Sequence, residues 1–73
     1  MKASELQIGQ TARIVEIIEG YSSKKLMEMG CIPGTPLKLE FRSPGGDPLA
    51  FNIDGYVLGL RISEAENIIV EME

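Results

Sequence analysis

The chain has 73 residues, seven basic against eleven acidic, with one cysteine and no histidine. Such a length allows a single domain over residues 1–73, and its fold must rest on the apolar core alone, because one cysteine forms no internal disulfide and the commonest transition-metal ligand is absent. The net charge of −4 sets the chain against nucleic acid, whose binding draws on Lys and Arg neutralising phosphates, and no stretch approaches the roughly 18 apolar residues that cross a membrane.

In chain order, Met1 to Glu5 leads into no apolar run of signal-peptide length, which predicts a cytoplasmic protein without direct membrane insertion. The free Cys31 suits a reducing compartment. Thr11 to Ile18 is rich in β-branched residues and predicts the first strand, ended by Gly20. Ser22 to Met29 predicts a helix of about two turns, with Ser22 or Ser23 as its N-cap. Leu26 and Met29 share one helix face, and Gly30 follows as the left-handed terminating residue. Pro33-Gly34 suits a type II turn, since proline presets φ at the second position and glycine supplies positive φ at the third.

Leu37, Leu39 and Phe41 alternate with Lys38, Glu40 and Arg42, the signature of a half-buried strand. Pro44 to Pro48 is a loop. Leu49, Phe51 and Ile53 predict the next strand, and Asp54-Gly55 marks a two-residue hairpin turn. Tyr56, Leu58 and Leu60 return; Gly59 inside that strand marks a bend or a close backbone approach. Ser63 and Glu66 match a capping box with room for about one turn of helix. The last strand, Asn67 to Met72, carries Ile68, Val70 and Met72 on one face and Ile69 on the other, which predicts cover on both sides. Leu26, Leu37, Leu39, Phe41, Leu49, Phe51, Ile53, Leu58, Ile68 and Val70 are assigned to one core. The class is all-β with small helical insertions, about five strands in a closed or nearly closed barrel; periodicity alone leaves an open sheet with a packed helix as the alternative.

Chemistry is sparse. Without histidine no Ser/His or Cys/His arrangement exists, and one thiolate falls short of the four ligands of structural zinc. Cys31, in an apolar context, reads as a small buried hydrophobe. No catalytic, cofactor-binding or metal-ligating residue is assigned. The glycines sit mostly at turns, and Gly45-Gly46-Asp47 lacks the Gly-Lys-Ser/Thr ending of a phosphate loop. What remains is a docking surface. Lys24-Lys25 is the only basic doublet on an acidic chain, and a local patch of opposite sign steers association. Tyr21 and Met27 flank it with apolar surface of the kind common in interface cores. Tyr21, Lys24, Lys25 and Met27 are the candidate partner-binding residues; the alternative is that they cover the barrel's open end.

The run Lys24-Lys25-Leu26-Met27-Glu28-Met29-Gly30-Cys31-Ile32-Pro33-Gly34-Thr35 resembles the signature of the FeoA family, the small ferrous iron transport protein A. The resemblance continues through Ser43 to Pro48, Gly55 to Arg61, and Glu64-Ala65 to Ile68-Ile69-Val70-Glu71, and includes Leu6 and Gly9. Two positions depart from the pattern: Ala3 and Gly45 stand where family members often carry leucine. The resemblance implies an SH3-like barrel acting in the cytoplasm, without catalysis of its own. Its implied partner is FeoB, a membrane permease for ferrous iron with a cytosolic G-protein domain. The same module occurs at the C-terminus of metal-dependent repressors of the DtxR type; with no helix-turn-helix before Met1, a free-standing accessory protein is the expectation. Two other readings compete. In one, Glu64, Glu66, Glu71 and Glu73 hold a metal in a small metal-binding or metal-sensing protein. In the other, Lys24, Lys25, Arg42 or Arg61 acts in trans on the GTPase.

Overall fold

A computed structural model describes all 73 residues. The turn residues set its sheet. Asp54 and Gly55 adopt φ of 50° and 106°, the two positive angles a type I′ turn demands, and the Gly55 N–H donates to Asn52 Oδ1 at 2.9 Å. Strands β3 (Leu49–Ile53) and β4 (Tyr56–Leu60) therefore pair across it, with Ile53 opposite Tyr56 and Leu49 opposite Leu60. At Pro33-Gly34, Gly34 has φ of 97° and the Thr35 N–H donates to Ile32 O at 3.0 Å, the expected turn. It delivers the chain into β2 (Pro36–Arg42).

With β1 (Thr11–Ile17) and β5 (Ile68–Met72), these strands form one antiparallel sheet of order β4-β3-β2-β1-β5. Register shifts fall between Ile14 and Glu16 in β1 and between Leu39 and Phe41 in β2. A bulge bends its strand and sharpens the twist, so the sheet curls around its inner face. Helix α1 (Ser23–Glu28) lies between β1 and β2, and the single turn α2 (Ile62–Ala65) lies between β4 and β5. This is the all-β class with short helical insertions that the sequence predicts.

The N-terminal segment closes one side of the sheet. Lys2 bridges Ile69, the Val70 N–H donates to Met1 O at 2.8 Å, and the terminal ammonium donates to Val70 O at 3.1 Å. Ile69, opposite Lys2, is half-buried on the second face of β5. A 3-10 turn over Ala3–Glu5 then drops Ala3 and Leu6 into the core.

Ile14, Leu26, Leu37, Leu39, Leu49, Phe51, Ile53, Ile68 and Val70 are fully buried in a single cluster, with Leu58 and Met29 packed against it. Phe41 corrects the sequence reading. Leu39 faces Phe51, but Phe41 faces Ala50 rather than Leu49; the extra residue, Glu40, turns Phe41 to the outer face. It is 54% exposed.

The α1 cap falls at Ser22 as predicted but lacks its side-chain bond, and the α2 cap is displaced. Ser22 occupies the N-cap of α1 without a side-chain bond, and Ser23 Oγ instead donates to Gly20 O at 2.9 Å. At α2 the capping residue is Arg61 rather than Ser63, and Glu64 rather than Glu66 accepts from it, the Arg61 N–H lying 2.9 Å from Glu64 Oε1.

Candidate protein-binding surface

Helix α1 is held by its C-terminus. The Gly30 N–H donates to Met27 O at 3.1 Å and the Cys31 N–H to Leu26 O at 3.0 Å. This double bond pattern is the Schellman motif, which needs the left-handed conformation that Gly30 adopts at φ of 98°. Leu26 and Cys31 are both fully buried, so the motif drives one helix face into the barrel. Tyr56 Oη reaches over from β4 and donates to Met29 O at 2.5 Å, satisfying a carbonyl that the helix end leaves free.

The opposite face of α1 points outward. Lys24, Lys25, Met27 and Glu28 are exposed; Met27 keeps 48% of its surface in water, and Tyr21, just before the helix, is 105% exposed. All four sequence-assigned residues therefore stand on one short segment. They are not equivalent. Lys25 Nζ lies 2.8 Å from Glu64 Oε2 and pins α1 to α2, whereas Lys24 has no ion-pair partner. Ile18 and Ile32 add exposed apolar surface before and after the helix, and sequence reasoning did not single them out.

The acidic residues do not converge. Glu64 is 8% exposed, and its carboxyl is held below its ordinary range by the hydrogen bond from Lys25 and then by the Arg61 N–H. Glu73 faces Arg13 at 3.3 Å. No group of three or more His, Cys, Asp or Glu side chains is placed to share a metal ion. Arg42 donates to Leu6 O at 3.1 Å, and Arg61 lies 3.8 Å from Asp47. Cys31 is fully buried; burial, then the charge of Glu64, push its thiol up to about 11, far from the thiolate that nucleophilic chemistry requires. One shallow, open depression on the outer sheet face is lined by Thr11, Lys38, Glu40, Asn52 and Asp54, with Leu37 its only hydrophobic residue. It lacks the apolar walls of a small-molecule site. No helix is long and apolar enough to cross a membrane.

A curled five-stranded antiparallel sheet with a helix between its first two strands and one helical turn before its last is an SH3-like domain. The chain belongs to the FeoA domain family, which matches residues 1–72. It is similar to the FeoA-like protein of Clostridium acetobutylicum, with a TM-score of 0.93 and 37% identity over 99% of this chain and 85% of that one. It is similar to the FeoA of Stenotrophomonas maltophilia, whose structure is a zinc complex and which is described as a procaryotic SH3 domain protein; the TM-score is 0.86 at 28% identity, covering 97% of this chain and 89% of that one. It is 34% identical over 73 residues to a Porphyromonas gingivalis protein described as a fusion of Fe(2+) transport protein A with the Fe(2+) transporter FeoB. The alignment covers 99% of this chain and 9% of the fusion protein. A manganese-dependent transcriptional repressor shares the fold alone, at a TM-score of 0.90 and 17% identity.

Proposed function

We propose that this chain is a non-enzymatic accessory module of ferrous iron uptake. It acts in the cytoplasm and binds the cytosolic, G-protein-containing part of a FeoB-type permease. The observation that carries the reading is the Porphyromonas gingivalis fusion, in which a domain similar to this whole chain is joined to FeoB. The docking surface is the outward face of α1 with its flank: Tyr21, Lys24, Lys25 and Met27. Apolar side chains left in water beside the unpaired Lys24 ammonium are the composition of a contact patch, anchored by the aromatic and steered by the cation. Lys25 contributes with its stem and partly neutralised head, since Glu64 already holds it.

Titration of the purified chain against the permease's soluble cytosolic domain, with and without guanine nucleotide, tests the partner. Saturable binding at one-to-one stoichiometry is the expected result. A flat titration in both nucleotide states contradicts the reading.

The metal-sensor alternative draws on Glu64, Glu66, Glu71 and Glu73, which do not stand as a group of three or more. Its carboxylates are dispersed, and Glu64, the most buried of them, is already committed to Lys25 and the Arg61 N–H.

A further inference from the structure

Only one long edge of the sheet lacks a partner. β5 is covered by Met1 and Lys2, while β4 pairs with β3 alone. The two-residue turn makes Ile53 and Tyr56 a hydrogen-bonded pair. Along β4, the main-chain groups of Tyr56, Leu58 and Leu60 therefore point to β3, and those of Val57 and Gly59 point away. No backbone bond outside the ladder reaches Val57 or Gly59, and both residues are exposed. Free edges are commonly blunted by lysine, proline or a bulge. β4 reads YVLGL, without charge or proline, and it pairs with β3 without a register shift.

Gly59 sharpens the point. Its φ lies outside the left-handed region, and a Cβ there meets nothing within 4 Å. Neither the backbone nor the packing of this chain calls for glycine, although glycine weakens a strand interior. A bare main chain on a free edge suits the close approach of another main chain.

We propose that β4 pairs antiparallel with β4 of a second copy, about a two-fold axis at Leu58. In this register Val57 faces Gly59 of the second copy, and Gly59 faces its Val57. Each of these pairs exchanges two hydrogen bonds through groups that are free in the monomer. Each Val57 side chain covers the bare main chain of the opposing Gly59. On the outer face it extends the row Phe41, Ala50, Gly59 that runs across β2, β3 and β4. The same register sets Gly55 opposite Arg61 of the second copy, so Asp54 stands beside that arginine at both ends. Asp54 is exposed and has no ion-pair partner; Arg61 keeps 65% of its side chain exposed, with only Asp47 at 3.8 Å. Opposite charges at the two ends of an uncharged strand select this antiparallel arrangement, because a parallel one would set Asp54 against Asp54. The contact is isologous and closes at two copies. It is independent of the transporter reading and uses a different surface.

Sedimentation velocity from micromolar to millimolar protein tests the pairing. The expected result is a reversible doubling of mass with concentration, shifted to higher concentration by added salt. Val57→Pro removes an N–H that the fold does not use and is expected to stay monomeric over the same range. Should that variant lose its melting transition, Asp54→Asn, which tolerates the positive φ at that position, is expected to weaken association several-fold. In the wild-type chain the amides of Val57 and Gly59 gain exchange protection only at dimer concentrations. A monomer mass at millimolar protein, or a dimer whose Val57 and Gly59 amides exchange as fast as in the monomer, overturns the proposal.

Discussion

Lys25 Nζ and Glu64 Oε2, 39 residues apart in sequence, lie 2.8 Å from each other and tie the two helical insertions together. Glu64 is the buried partner and Lys25 the exposed one, with side-chain exposures of 11% and 64%. The folded carboxyl is therefore stabilised in its charged form, below its ordinary value of 4.5. A depressed carboxylate contributes stability above the unfolded pKa and loses it as pH falls through the folded one. The gap in stability between the wild type and Glu64→Gln is accordingly largest near neutral pH and closes as pH drops below 4.5. Chemical denaturation across that range measures it. Lys25→Ala, which removes the half-solvated partner, is expected to cost about 1 kcal/mol or less.

Tyr56 and Gly30 form a second long-range couple. The Tyr56 hydroxyl sits where a Cβ on Gly30 would stand, and Gly30 has φ of 98°. Gly30→Ala meets both obstacles and is expected to cost about 1–3 kcal/mol from strain alone. Tyr56→Phe loses one hydrogen bond, about 1 kcal/mol. In the Tyr56→Phe background Gly30→Ala should cost less than it does alone, because the clash with the hydroxyl is gone. A double-mutant cycle by thermal or denaturant melting reads this coupling; strict additivity would show that the two residues do not touch.

The two phenylalanines are expected to behave oppositely. Phe51 is fully buried at the centre of the core, and Phe51→Ala should cost about 3–5 kcal/mol, enough to threaten a domain this small. Phe41 lies on the outer face, and Phe41→Thr should stay within about 0.5 kcal/mol of the wild type. Denaturant midpoints compare the two directly.

These residues also show what sequence reading reaches. Asp54-Gly55, Pro33-Gly34 and Gly30 are legible because each demands a backbone angle that few residues supply, and all three are found as read. Phe41 is not legible: its alternation with Leu37 and Leu39 is perfect, and only the pairing with β3 reveals the bulge at Glu40. The α2 cap fails for a similar reason. Ser63 and Glu66 have the right spacing, but Arg61, just after β4, takes the capping position and its N–H bonds Glu64, which also pairs with Lys25 across 39 residues of sequence. Within the candidate surface, the exposure of Lys24 and Met27 follows from helical geometry set against the buried Leu26, whereas Tyr21 lies before the helix and its exposure does not. Nor does the engagement of Lys25 by Glu64, because contacts at such separation leave no local trace in the sequence. The cover that Met1 and Lys2 give to β5 is hidden in the same way.

The docking surface is tested most directly by calorimetric titration of the permease's cytosolic domain with the double variant Lys24→Glu, Met27→Glu. This variant leaves the Lys25–Glu64 pair and the buried Leu26 intact, so its melting temperature should stay within a few degrees of the wild type. Leu26→Glu, by contrast, places a charge in the core and should lose fold and binding together. The account predicts that the double variant remains folded and binds at least tenfold more weakly, a change of about 1.4 kcal/mol or more. A folded double variant that binds with wild-type affinity contradicts it.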